Sequence, residues 1–480
     1  DMLSNDSTVS KIIREKTGVN VNFISPIDSD GTQLNTLIAS DKLPDVVTLT
    51  ASMSERILLE EGNYIYPIQG LAERWAPSLL PRIDKDITDY YSASDGNLYG
   101  LPSHFYTQAD VNAYSSQGGI IGSNGGAVAR KDYLDAYIAY AKDTGLYDSY
   151  IGREIGSTVI SDSQMAAEYA VTLASNFLDM CNWVKDRYNI SNSDNTLMLS
   201  NWEKSQTKVP NKALKWLYEY FCVEYETAEG NLPNQYDDPR LKEMMMWLNR
   251  AYRENLITDL GLNSTQISMA IRAGKPFVFI GSPQDFLTSF ARWNEAHPEA
   301  EYVPIIFTND AGETPQLTSL AGPGYRYNMI TTNCSRPDKV IKLFDYLWSE
   351  EGQRLVHYGV EGTSATDTEG MYYIIEQPST EYKYGQISST NWIKEKLAKG
   401  ASVAAEGIGS MNLLANPMFT RMTHPEGDKL DTYYEYTNYN LKAATSKFAY
   451  NSMLMSYNLN PTDSRYNKMV TRETQIINTW

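Results

Sequence analysis

Four histidines, three cysteines and 59 carboxylates are the residues of this 480-residue chain with the chemistry for catalysis or metal binding. Their spacing matches none of the familiar sites. His104, His297, His357 and His424 form no HExxH pair, which excludes a zincin. Cys181, Cys222 and Cys334 stand far apart with no CxxC, which excludes a paired-cysteine zinc site and argues against a disulfide framework. Each reads as a small buried apolar residue. The stretches GPGYRY and EGIGSMN lack the third glycine of a dinucleotide loop, and AGKP has proline where a phosphate loop needs Ser or Thr. No GxSxG elbow occurs. DSDG at 28–31 is too short for a calcium loop and has no closing glutamate. Two carboxylates facing across a cleft would make a glycosidase. With 59 acids such a pair is not excluded, but no spacing singles one out.

What the chain has in excess is rings with polar tips. It carries 35 Tyr and nine Trp against only 12 Phe, whereas a core alone would favour Phe. Any one ring reads first as helix packing. The excess as a whole suits a ligand with C–H faces to stack and hydroxyls to hydrogen-bond, which is the character of a sugar. The balance of 41 basic against 59 acidic residues gives a net charge of −18, which repels nucleic acid and anionic lipid and favours solubility. No run of 18 apolar residues is present. The opening DMLSNDSTVS has neither an initiator methionine nor a signal peptide and reads as a processed or trimmed product.

The elements that would position a site follow from the hydropathy pattern. The length suits two large lobes. Val9, Ile12 and Ile13 make a helix face stopped by Gly18, the alternation of Val19, Val21 and Phe23 predicts a strand, and Leu34, Leu37 and Ile38 make a second helix face. Val46, Val47 and Leu49 then form a short core strand. This order predicts βαβ units and a parallel sheet, with ligands beyond the strands' carboxyl ends. Thr48, Thr50 and Ser52 lie where the strand opens out. Asp45 at its entrance either punctuates the turn after Pro44 or holds the loop that shapes the crevice. Residues 108–126 read as a loop and 130–255 as mostly helical. In the clearest helix Asp238 caps, Pro239 fits the first turn, and Leu241, Met244, Met245, Leu248 and Tyr252 share a core-facing stripe. PFVFIG and YVPIIFTN return to strand. Pro337 then starts a helix whose buried stripe is Val340, Leu343, Phe344 and Leu347.

KTGVNVNF, LIASDKLPDVVTL, LLEEGNYIYPI, LYGLP, ARKDYLD, YRENLIT, AIRAGKPFVFIGS and KVIKLFDYLWSEEGQRLVHYGVEGT follow one another in an order and spacing that resemble the family 1 extracellular solute-binding proteins of ABC importers, of the long oligosaccharide type. The likeness runs from residue 11 to 363 and loosens beyond, where only YNLNPTDSRYNKMV is similar. The family's opening strand and lipid-bearing cysteine are absent here, and its members continue past the equivalent of Trp480. Some members carry a calcium loop after the RKDYLD element; nothing like it follows Asp135.

The resemblance implies an α/β, two-lobed, type II periplasmic-binding-protein-like fold whose hinge-linked lobes close on a ligand cleft. Its lobes would be residues 1–104 with 276–327, and 105–275 with 328–480, with crossovers near 103–108, 324–331 and 270–276. It implies a non-catalytic receptor that passes an oligosaccharide to permease subunits; no cofactor and no metal-ligating residues are expected from this sequence. The receptor would be monomeric, held at the extracellular face of the membrane by a lipid anchor, or periplasmic in a two-membrane cell. Residues at strand ends and crossovers are then the candidate ligand contacts. These are Thr50 and Ser52, His104 and Tyr106, Ser282, Gln284 and Asp285, and Tyr325, Arg326 and Tyr327. Trp202 and Trp392 would be stacking platforms from the other lobe. Asp285 and Arg326 would hydrogen-bond hydroxyls, and Tyr106 and Tyr325 would stack. Two alternatives stay open: a carbohydrate-active hydrolase or lyase, and a binder of peptide or acidic oligosaccharide using Arg326 and His104.

Overall fold

The computed structural model describes residues 6–25, 32–50, 55–93, 95–105, 122–123, 125–146, 171–190, 198–200, 212–224, 233–257, 263–318, 324, 326–376, 386–399, 403–408, 414, 421–422, 437, 441–442, 444–446 and 448–450. Its strands in chain order are β1 (Val46–Thr50), β2 (Leu101–Pro102), β3 (Gly126–Arg130), β4 (Val171–Leu173), β5 (Met198–Ser200), β6 (Val278–Gly281), β7 (Tyr302–Thr308), β8 (Leu317–Thr318), β9 (Arg326–Ile330), β10 (Tyr372–Glu376), β11 (Gln386–Ser389), β12 (Arg421–Met422) and β13 (Ala449–Tyr450).

The chain folds as two compact units, and neither is contiguous. The first holds Asp1–Gly119, Ala321–Gly427 and Met455–Trp480; the second holds Ile120–Leu320 and Asp428–Leu454. This differs from the lobes expected from the sequence. Residues 276–320 join the second unit because β6 and β7 hydrogen-bond on either side of β3. Residues 328–427 stay with the first, because β9 pairs with β1 and the Pro337–Leu347 helix packs into that core. No crossing occurs at 270–276.

In the first unit β9 is the central strand of the order β1-β9-β2, and both neighbours run antiparallel to it. The expected parallel βαβ start is therefore not what forms. Val19, Val21 and Phe23 do alternate inward against the core, but their segment joins no ladder. Side-chain alternation reports which face is buried, not whether the backbone is paired. Asn328, fully buried in β9, ties both neighbours: its Nδ2 donates to the Leu101 carbonyl at 3.0 Å and its Oδ1 accepts from Thr48 Oγ1 at 2.8 Å. Asp45 serves the loop after β9. Its carbonyl accepts from Thr331 N at 3.0 Å, and its carboxylate helps raise the pKa of the Cys334 thiol, which is pushed up to about 11, by burial first. The helix beginning at Pro337 buries Val340, Leu343, Phe344 and Leu347 as expected. β10, β11 and β12 form a small separate sheet.

The second unit is built on a mixed five-stranded sheet, β4-β7-β3-β6-β5. Every residue of β7 is buried, and its Phe307 stacks on Trp247 and Tyr220 with centroids 5.7 and 4.6 Å apart. Trp247 anchors its polar edge on the Ala174 carbonyl at 2.8 Å, so the ring is buried without an orphan donor. Asp238 caps the Pro239–Arg253 helix as expected, but the buried stripe is Met244, Trp247 and Ala251. Met245 and Tyr252, expected in the core, are 52% and 53% exposed, because the helix turns its Trp247 side to the sheet. The three cysteines are buried and free.

Candidate functional site

The carboxyl ends of β1 and β2 and the amino end of β9 meet at one edge of the first unit's sheet. Thr50 is opposite Arg326 in the ladder there. Ser103, just past β2, clamps the same residue. Its N–H donates to the Arg326 carbonyl at 2.8 Å, and its Oγ accepts from Arg326 N at 3.2 Å. The same Oγ lies 3.2 Å from His104 Nδ1. His104 itself has φ of 51°, a left-handed conformation that costs a non-glycine residue energy and concentrates at functional positions. Phe105 fixes the next step by stacking on Trp348 at 4.9 Å. Gly324 completes the edge with φ of 125°; a Cβ there would meet Tyr91 Oη at 2.9 Å and the Ser103 carbonyl at 3.0 Å, so only glycine fits. The structure thus brings Thr50, His104 and Arg326 together, with the His104 and Arg326 side chains half-buried.

Tyr327 is not a contact of this kind. Its ring is fully buried, stacked on Tyr91 at 4.9 Å and covered by the Arg56 guanidinium at 4.5 Å. Burial pushes its hydroxyl well above the ordinary tyrosine range. In a strand whose side chains alternate, Arg326 at the edge puts Tyr327 into the core. Beneath it Arg56 and Glu60 form a buried ion pair at 2.7 Å, which SERILLEE carries as an i, i+4 spacing.

Trp392 belongs to this first unit rather than to the other one. It sits half-buried near the start of the Asn391–Ala398 helix, its backbone N–H donating to the Asp367 carbonyl at 3.2 Å. The Lys396 ammonium covers one ring face at 4.2 Å and is held by Glu406.

Ser282, Gln284 and Asp285 lie in the second unit, on the turn that ends β6. Asp285 N–H donates to the Ser282 carbonyl at 3.1 Å, and Phe286 pins the turn by packing edge-on against Phe279. Gln284 and Asp285 are exposed and Ser282 is half-buried, so the turn presents polar groups on a rigid base. Ser52, Tyr106, Trp202 and Tyr325 lie outside the described residues. Among the described residues no cluster of three or more His, Cys, Asp or Glu side chains is disposed to hold a metal.

Two neighbours of the candidate contacts were not anticipated. Ser103 was readable only as the residue before His104 in LPSHF. His357, 253 positions further along, had no local signal. Its Nε2 is buried with no hydrogen-bond partner, and burial followed by the nearby His104 pushes its pKa down to about 4.

No family model matches the chain, and no curated protein does. Solved structures do match along nearly all of it. The Streptococcus pneumoniae ABC-transporter substrate-binding protein FusA, in complex with kestose, aligns over 98% of this chain and 89% of its own, at TM-score 0.57 and 12% identity. The chain has the fold of the ABC-importer solute-binding proteins. The solute-binding protein of Bifidobacterium longum infantis described as binding HMO aligns over 100% of this chain and 89% of its own, at TM-score 0.57 and 13% identity. The alginate-binding protein AlgQ2 aligns over 94% and 81%, at TM-score 0.55 and 13% identity. For this solute-binding fold the candidate contacts divide between the units: Thr50, His104, Arg326 and Trp392 in one, Ser282, Gln284 and Asp285 in the other. No described helix is long and apolar enough to cross a membrane.

Proposed function

We propose that this chain is the extracellular binding component of an ABC importer and that it captures an oligosaccharide without altering it. The observation that carries the reading is the match along nearly the whole chain to FusA with kestose, at 98% of this chain. The chemistry of the two polar surfaces agrees with it. His104, Arg326, Gln284 and Asp285 supply charged or amide partners for hydroxyls, and the half-buried Trp392 ring would supply a stacking plane. A hydrolase would need two carboxylates held to a defined separation. The candidate contacts include only Asp285. The permease subunits are the partner this reading implies, with the receptor held at the outer membrane surface by a lipid anchor.

Thermal-shift screening against a glycan library tests the reading, since a ligand that binds only the folded state raises the melting temperature. Hits are then followed by calorimetry with Arg326→Ala and Trp392→Ala. Expected are a raised melting temperature with at least one oligosaccharide, affinity lost in the variants, and ligand recovered intact by chromatography. Silence across the library, or cleaved product that survives repurification, overturns it. Arg326 favours one variation, an acidic oligosaccharide, whose affinity would fall with added salt; affinity for a neutral one would not.

A further inference from the structure

We propose that Asp367 positions the Trp392 ring, acting through the loop at residues 361–371 that holds the start of the Asn391–Ala398 helix. The proposal rests on the reading of Trp392 as a stacking plane for a sugar, and it names the residue that sets the plane.

One antiparallel ladder brings the loop and the helix together. The loop runs into β10, the helix follows β11, and the pairing of Tyr372 with Ser389 leaves both at the same end of the ribbon. There the loop's carbonyls take the donors of the helix start. The Ala365 carbonyl accepts from Asn391 N at 2.8 Å, that of Asp367 from Trp392 N at 3.2 Å, and that of Met371 from Thr390 N at 3.1 Å. The Gly370 carbonyl accepts from Thr390 Oγ1. The first N–H groups of a helix have no partner within it, so the groups that accept from them fix where the helix begins. Here a single loop supplies those acceptors, and Trp392 is the second residue of the helix.

Asp367 gives that loop its shape. Its Oδ2 accepts from Thr363 N at 2.7 Å and Thr363 Oγ1 at 2.9 Å, and its Oδ1 accepts from Glu369 N at 2.7 Å and Gly370 N at 2.9 Å. These donors, the Gly370 N–H foremost, hold the carboxyl well below the ordinary carboxylate range, so it stays ionised in mild acid. The backbone closes tightly around it. A Cβ on Gly362 would come within 3.0 Å of the carboxylate, and one on Gly370 within 2.2 Å of the Gly362 α-carbon. An aspartate that only closed its own turn would reach no further. This one also accepts from Trp392 through its backbone carbonyl, so one residue joins the shape of the loop to the anchor of the ring. From the helix itself Lys396, held by Glu406, lies over the Trp392 ring at 4.2 Å. A ring fixed in advance by its backbone and its neighbour loses less freedom when a sugar stacks on it.

The test uses the full chain labelled with 5-fluorotryptophan, the Trp392 fluorine signal being assigned with Trp392→Phe. Asp367→Ala is expected to shift the Trp392 signal while those of Trp247 and Trp293, in the second unit, stay in place. Asp367→Asn, which keeps one acceptor oxygen, is expected to shift it less, and stands in should the alanine variant fail to fold. A Trp392 signal that neither variant moves overturns the proposal and shows the ladder alone placing the helix. So does a general shift of all the tryptophan signals, the mark of a loosened chain. Maltohexaose, cellohexaose and laminarihexaose probe the consequence for binding. For any that binds the wild type, Asp367→Ala is expected to weaken affinity about threefold to tenfold, and to weaken it no further in Trp392→Ala, because the aspartate acts through that ring. An equal loss in the Trp392→Ala background overturns the proposal. Binding of none of the three counts against the capture reading alone, and the fluorine signal still decides this one.

Discussion

Lowering the pH should destabilise the first unit through His357. The residue is half-buried, its Nε2 is shut off from solvent with no partner, and its pKa falls from 6.5 to about 4, by desolvation first and the charge of His104 second. The unfolded chain takes up a proton near the ordinary value and the folded chain refuses it. Stability from this group is therefore complete above pH 6.5 and is lost as the pH falls towards the folded value. A gap of roughly 2.5 units corresponds to about 3 kcal/mol. Urea unfolding of the wild type and of His357→Gln, at about pH 7.5 and about pH 4.5, isolates the effect because the carboxylates common to both chains cancel. The wild type is expected to lose about 2–3 kcal/mol more than the variant over that interval. Parallel losses in the two proteins would refute the burial argument, whatever the stability of the variant at neutral pH.

Glu60→Gln is expected to cost about 3–5 kcal/mol, because it strands the fully buried Arg56 guanidinium, whereas Lys85→Gln, in an exposed pair, should change stability by under about 1 kcal/mol; denaturant midpoints distinguish the two. Gly324→Ala is expected to destabilise the first unit by about 1–3 kcal/mol, seen as a lowered thermal midpoint, since alanine disfavours φ of 125° and its Cβ meets Tyr91 and Ser103. Trp247→Ala should cost about 3–5 kcal/mol through the cavity left beside Phe307 and the unpaired Ala174 carbonyl, with the melting of the second unit as the readout.

Much of this architecture was legible in the sequence. The helix starting at Pro337, the strands PFVFIG and YVPIIFTN and the cap at Asp238 follow from periodicity and end signals that act over a few residues. What was not legible depends on distant partners. The pairing of β1 with β9 joins residues 280 apart, and nothing in VVTLT states that its neighbour runs antiparallel. The same blindness assigned β6 and β7 to the wrong half of the chain and put Trp392 in the wrong unit. Tyr327 and Arg326 were chosen together although a strand sends adjacent side chains to opposite faces, so one of the two had to be buried. On the Pro239–Arg253 helix both Met245 and Trp247 are large and apolar, and only the position of the sheet decides which one it covers.

The central place of β9 has a consequence for synthesis. β1 and β2 emerge within the first 102 residues, but the strand that joins them ends at Ile330. At a synthesis rate of about 5–20 residues per second, two unpaired edges wait roughly ten to forty-five seconds for their middle strand. Over that time the nascent amino-terminal segment presents open backbone donors and acceptors to any other extended chain. A holding chaperone, or export before folding, would shield it until the later half arrives.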